Sequence, residues 1–249
     1  MRSLIAIAVA EIKMYIREPF AFFFSIIFPI FLLLLFGASF GSEDLGGYRG
    51  IDLTVAMNLS FLIANLGIMG IPISTVEQKH TGVFKRFQVL PVPKLSLFMG
   101  TISTSIVVFI LSTALILTTA VILFNVTFFG NLLEVIIMIV LGLTTFLSLG
   151  YLIALLPVPP RTIQIIASAV FFIMLFFSGV ILPLQEMPVF LQSIVQYSPL
   201  TIVTTLLGHA WVNEQSIFLN LGYLILLAVY AVGFLLIVKL FPKNEADKS

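Results

Sequence analysis

TVEQKHTGVFKRFQVLPVPK, Thr75 to Lys94, separates two apolar runs that are each long enough to cross a membrane. Val76, His80, Val83, Phe84, Phe87 and Leu90 fall near one helical face, and Gln78, Lys79, Gly82, Lys85 and Arg86 fall near the other. Glu77 sits in the first turn, where the helix dipole favours an acid, with Lys85 and Arg86 further along. Pro91 and Pro93 then stop the helix, because the residue before a proline is pushed out of the helical region. The expectation is a short two-faced helix over 75–90. It could rest on lipid headgroups, each Lys or Arg attracted by about 1 kcal/mol. It could equally be a rigid lever that passes a partner's motion into the membrane.

Composition puts the rest of the chain in lipid. Apolar residues make up 60% of the 249 residues and charged ones 9%, with a mean hydropathy of +1.20. Soluble domains carry about 25% charged residues. A net charge of +1 gives no reason to expect a nucleic-acid partner. The absence of cysteine removes disulfides, zinc-thiolate sites and cysteine nucleophiles. Met1, Arg2 and the run Leu4 to Ala10 resemble the start of a signal peptide. Glu11, Lys13, Arg17 and Glu18 follow at once, so the reading is an uncleaved segment.

A membrane-crossing helix needs about 20 largely apolar residues, and a charge at its centre costs about 3 kcal/mol, so charges punctuate the spans. Uncharged runs cover 19–42, 53–76, 95–133, 135–160, 162–185, 187–213 and 215–238. Six are read as spans, over about 20–40, 53–74, 97–123, 133–156, 162–182 and 216–238, the third ending before Asn125 to Asn131 (NVTFFGN). The run 187–213 is interrupted by Pro188, Gln192, Gln196, Ser198, Pro199, His209 and Asn213, and reads as two short helices dipping into the outer face. Six spans with both termini inside leave Arg49 as the one basic residue in an outer loop, against eleven inside. That is a strong positive-inside bias, and a seventh span would put Lys239, Lys243 and Lys248 outside. Residues 1–18, with Ile5, Val9, Ile12 and Ile16 on one side, read as an interfacial amphipathic helix. The fold class is therefore an all-α integral membrane protein with one domain over 1–249.

The span cores hold no Asp, Glu, Lys, Arg or His. Proton relays, ion-coupled carriers and voltage sensors place such groups at depth. His80 and His209 fall on opposite membrane faces in this topology, and no HExxH or GxxxxGK[ST] pattern occurs. The residues give no catalytic group, no metal site and no bound cofactor. What polarity the spans hold is uncharged. Asn58 and Asn65, seven apart, share a face with Leu62 and Met69, and Gln164, Ser168 and Phe172 form a stripe with Leu175. These could be interhelical hydrogen bonds, averaging about 0.6 kcal/mol each, or a mildly polar lining for an amphiphilic cargo. Gly37 and Gly41 make one small-residue packing signal at the end of the first span.

Two segments carry a resemblance. Glu77, Gly82, Lys85-Arg86 and Pro91-Val92 resemble the first cytoplasmic loop of type-2 ATP-binding-cassette (ABC-2) exporter permeases, with Val83 where a threonine often stands. Far along the chain, FFSGVILPLQEMP (Phe176 to Pro188) and YSPLTIV (Tyr197 to Val203) supply Ser178-Gly179, Pro183, Met187-Pro188 and Pro199-Leu200-Thr201. These are similar to the family's pattern after its fifth span.

The resemblance implies the membrane half of an exporter, in which two permease subunits, identical or paired, work with two separate subunits that bind ATP and Mg. The helix Glu77 to Leu90, with Gly82, Phe84, Lys85 and Arg86, would dock on the ATP-binding subunit. Residues 183–208 would form outer re-entrant helices carrying Ser178, Gly179, Pro183, Met187, Pro188 and Pro199 at or near their ends. A cargo path would involve the second and fifth spans, which brings in Asn58, Asn65, Gln164 and Ser168. The expected function is ATP-driven export of a hydrophobic or amphiphilic compound, such as a drug, antibiotic or lipid-linked molecule, across a bacterial or archaeal plasma membrane. The rival from another class is a passive channel or membrane scaffold.

Overall fold

In the computed structural model the described residues are 22–40, 49–80, 95–181, 187–213 and 215–240. Every regular element among them is helical. A π-helical turn, Phe23–Ile27, leads into α1, Phe28–Phe40. Helix α2, Gly50–Ala64, continues through a second π-helical turn, Asn65–Gly70, into α3, Ile71–His80. Then come α4, Leu95–Phe124, α5, Leu132–Ala154, and α6, Pro160–Phe176. Helices α7, Val189–Val195, and α8, Pro199–Val212, precede a 3₁₀ turn, Ile217–Asn220, and α9, Leu221–Leu240.

Local chemistry sets these ends. Asn131 caps α5 by accepting the Leu133 N–H at 3.0 Å, with Glu134 in the first turn. Pro160 and Pro199 open α6 and α8, where a missing N–H costs nothing. Asn213 closes α8 in the left-handed region, with φ of 56°. Helix α5 stops at Ala154, two residues short of the expected 156, as the chain approaches Pro157.

Four described helices are long and apolar enough to cross a membrane: Gly50–Gln78, Gly100–Phe124, Leu132–Ala154 and Ile217–Ile237. They fall on the expected second, third, fourth and sixth spans. The expected first and fifth spans coincide with shorter apolar helices, Phe23–Ser39 and Pro160–Phe176. Helix α6 ends six residues before the expected 182, because Gly179 turns the chain with φ of 83°. Helices α7 and α8 are bent against each other by 88°.

Gly50–Gln78 is the hub. It packs against α1, α4, α5, α6 and α8, while α9 lies outside and leans mainly on α5. Phe61, fully buried, meets Phe28 of α1 at 5.3 Å between ring centroids and Phe171 of α6 at 5.5 Å. The closest crossing is between the second π-helical turn and α5. A Cβ on Gly150 would lie 1.9 Å from the Gly67 carbonyl oxygen, and one on Gly67 would lie 2.4 Å from the Phe146 backbone. Glycine is therefore required there by backbone contact. Gly37, half of the expected small-residue pair, packs on Phe124 and Ile51, and Gly41 lies outside the described residues.

Candidate functional site

Helix α3 runs without a break from the second span to His80. The helix start expected near Thr75 does not exist, since nothing between Pro72 and His80 interrupts the hydrogen bonding, and a change from apolar to charged residues is no helix stop by itself. Glu77 is exposed in the last turns of α3. Gln78, assigned to the polar face by its spacing, is instead buried and donates to the Thr101 hydroxyl of α4 at 3.3 Å. That bond ties together the two helices on either side of the charged segment. Gly82, Phe84, Lys85 and Arg86 lie outside the described residues, as do the interfacial helix over 1–18 and Pro183.

At the end of α6 the separate motif fragments meet. The buried Ser178 hydroxyl donates to the Leu175 carbonyl at 2.8 Å and accepts the Val180 N–H at 3.3 Å, closing α6 beside Gly179. Thr201, two residues into α8 after Pro199, donates its hydroxyl to the neighbouring Phe177 carbonyl at 3.2 Å. Met187 is buried, its carbonyl accepting from the Gln192 amide at 2.7 Å, and the exposed Pro188 precedes α7. The elbow between α7 and α8 is held by α9: Tyr230 donates to the Tyr197 carbonyl at 3.0 Å, and Tyr223 to Gln196 Oε1 at 3.3 Å.

Helix α8 sits antiparallel to α2. Gly208 faces Leu53 near the start of α2, while Gly142 of α5 touches both Ile63 and Val203, a turn and a half nearer the elbow. Tyr230, which reaches the elbow, lies nine residues into α9, or about 14 Å along it.

The four polar span residues are not gathered round one opening. Asn58 is buried and donates to the Thr54 carbonyl of its own helix at 3.0 Å, leaving its side-chain oxygen without a partner among the described residues. Asn65 opens the second π-helical turn, and its amide donates to the Ser25 hydroxyl in the first π-helical turn at 3.0 Å. It thus takes the interhelical hydrogen-bonding role that was one of its two readings. Gln164 is exposed on α6 and Ser168 is half-buried.

Two further clusters were invisible in the sequence reading, which counted their members only as loop charges. Asp52 is fully buried. Its carboxylate accepts from Arg49 Nη2 at 3.2 Å, from the Arg49 backbone N–H at 3.0 Å and from the Thr127 N–H at 3.1 Å. The same guanidinium donates to the Phe124 and Asn125 carbonyls at 3.2 and 2.6 Å, where Asn125 turns the chain with φ of 49°. The start of the second span and the end of the third are clasped by this group. Glu134, also buried, accepts from the Ser216 hydroxyl at 2.8 Å and the Ile217 N–H at 2.9 Å, fixing α9 to α5. Acid residues at the first turn of a span, next to Asn- and Ser-containing turns, were the available signal.

Helices of membrane length around a buried hub, with a bent apolar pair beside it, define a multi-pass helical membrane domain. The family model of the ABC-2 type transporter matches residues 2–211, most of the chain, and the chain belongs to that family. It is a membrane-embedded transport subunit of an ABC-type transporter, and the family as a whole works with an ATP-binding partner. No curated protein matches the chain significantly.

Proposed function

We propose that the chain is the permease of an ATP-driven exporter that moves a hydrophobic or amphiphilic compound, such as a drug, antibiotic or lipid-linked molecule, out across the plasma membrane. Two permease copies, or one and a sister subunit, act with two ATP-binding subunits that hold ATP and Mg. The charged segment from Glu77 to Leu90 is the docking element, with Gly82, Phe84, Lys85 and Arg86 at the contact. Its flanking helices α3 and α4 are joined by Gln78 and Thr101, so a push on the segment moves both spans together.

The observation that carries this reading is the bent pair α7–α8, whose second helix, α8, packs between the hub, α5, α6 and α9 and is hydrogen-bonded to the end of α6. An apolar plug seated from outside suits a pathway that opens only when the spans are driven apart. It suits a cargo without charge, since the apolar cores of the spans carry none. Gln164 and Ser168 are the cargo-path candidates that α6 leaves accessible, so the proposed path follows that helix. Asn58 and Asn65 support it from inside.

The test is co-expression with the ATP-binding protein encoded beside this chain, purification in lipid and measurement of ATP hydrolysis and of dye efflux from vesicles. The native pair is expected to associate and export. Lys85→Glu with Arg86→Glu is expected to abolish association and efflux. Equal behaviour of both pairs, or an ATP-independent conductance in a planar bilayer, would overturn the export reading.

A further inference from the structure

Both π-helical turns among the described residues are built the same way. Phe23–Ile27 closes with the Phe28 N–H donating to the Phe23 carbonyl, five residues back, and Pro29 follows. Asn65–Gly70 closes with the Ile71 N–H donating to the Leu66 carbonyl, again five back, and Pro72 follows. A proline has no N–H for the carbonyl four residues earlier, and in a regular α-helix its ring would press on that carbonyl. Here those carbonyls belong to Ser25 and Ile68. Widening the preceding turn by one residue moves them aside, so the two prolines account for the two turns.

Three observations make the pair a joint. The turns lie side by side, since Asn65 of one donates to the Ser25 hydroxyl of the other at 3.0 Å, and both residues are buried. The hub has a fulcrum there, because Gly67 and Gly150 bring two backbones into contact with no side chain between them. It also has clearance, because a Cβ on Gly70 would meet nothing within 4 Å. Packing does not require a glycine at that position, whereas backbone freedom favours one. On one side of the joint, α2 is buried almost throughout and clasped through Arg49 and Asp52 to the end of α4 and the residues just after it. On the other side, α3 is bonded by Gln78 to Thr101 near the start of α4.

We infer that the paired turns are one hinge, at which α3 swings against α1 and α2 and carries the start of α4 with it. The hinge is a property of this chain's backbone, and only its trigger, the docking of an ATP-binding subunit, rests on the export reading. Helix α3 has ten residues, a lever of about 15 Å. A change of about 20° in a kink at its base would move its far end by about 5 Å.

The chain has no cysteine, so spin labels can be placed on it without background. In the full chain in lipid nanodiscs, Ser74→Cys on α3 is paired with Leu236→Cys on α9, and Met57→Cys on α2 with Val229→Cys on α9. Pulsed electron paramagnetic resonance is expected to give a broader distance distribution for the first pair than for the second. Gly70→Ala with Pro72→Ala restores an N–H and favours regular helix, and should narrow the first distribution to the width of the second. Gly70→Ala alone, which meets no neighbour, should narrow it in part. With the ATP-binding partner, trapping by ATP and vanadate should shift the mean Ser74–Leu236 distance by about 5 Å, as a kink change of that size requires, and leave Met57–Val229 unchanged. A first distribution no broader than the second, or unmoved by both variants, overturns the hinge. Equal shifts of the two pairs overturn it as well, since the span would then move as one rod. Narrowing by the variants without any response to nucleotide upholds the hinge and overturns docking as its trigger.

Discussion

The second span and the last are both apolar and of membrane length, yet they occupy opposite places. In Gly50–Gln78, 83% of the most apolar stretch is buried inside the chain, against 11% in Ile217–Ile237. Water would sort two such helices by hydrophobicity, but lipid tails are as apolar as leucine and give no such preference. Small and polar residues decide instead. The hub carries Thr54, Asn58, Ser60, Asn65 and Gly67, all buried. The rim helix is largely aliphatic, and a side chain added at its Gly222 or Gly233 would meet nothing within 4 Å. Its two tyrosines are its polar attachment to the bent pair.

The widest break in this comparison is a glycine swap. Gly150→Leu puts a Cβ 1.9 Å from the Gly67 oxygen, where the obstruction is backbone that cannot rotate away. Overpacking of a well-packed core costs about 1–3 kcal/mol and more when backbone must shift. The expected outcome is loss of the monodisperse peak in detergent. Gly233→Leu on the rim should stay within about 0.5 kcal/mol of the native chain, as surface substitutions do. Equal elution profiles for the two variants would dissolve the distinction between hub and rim.

A second contrast lies between the charged clasp on the hub and the tyrosine anchors on the rim. Asp52→Ala leaves the Thr127 N–H without its acceptor and the guanidinium without its carboxylate. An unsatisfied buried group costs about 1–3 kcal/mol, so thermal unfolding should fall by several degrees. Asp52→Asn should recover part of the loss, because an amide oxygen can still accept the Thr127 N–H. Tyr230→Phe removes a bond to the Tyr197 carbonyl at an exposed position, and its effect should stay near 0.6 kcal/mol. A Tyr230→Phe loss as large as that of Asp52→Ala would make α9 part of the structural core.

How far the sequence could be read follows from the same physics. Apolar run length and charge punctuation located four spans of membrane length, because insertion into lipid depends on those two quantities, and Pro199 marked the bend between α7 and α8. The Ser178-Gly179 and Pro199-Leu200-Thr201 fragments were read as parts of one pattern, and the Thr201 hydroxyl bonds the Phe177 carbonyl next to Ser178. Helix ends were less legible: α3 runs through Glu77, and α6 stops at the Gly179 turn. The packing of the spans was not legible. Gly67, Phe146 and Gly150 form the closest crossing, and nothing in one chain's spacing pairs a glycine with a partner eighty residues away. Asp52 and Glu134 were read as loop charges because each also binds a distant backbone N–H, of Thr127 and Ile217, and a sequence does not reveal where those point.

The smallest expected effect is the most local test of the hub. Asn65 and Ser25 join the π-helical turns of neighbouring spans through one buried bond of 3.0 Å. A π-helical turn is rare inside a helix and is frequently found at functional sites. In a double-mutant cycle, Asn65→Leu and Ser25→Ala should each destabilise, and the pair should lose less than the sum. The coupling should be about 0.6 kcal/mol, the mean for hydrogen bonds between membrane helices. Ser60→Ala is the reference, because Ser60 donates to the Ala56 carbonyl of its own helix and should show no coupling to Ser25. A coupling near zero would mean that the two turns are matched by shape alone, through contacts such as Phe28 on Phe61. A measurable coupling would mean that separating these spans must first break a polar contact at depth. Opening the hub would then be a discrete event, and the first and second spans would hold together until the bond gives way.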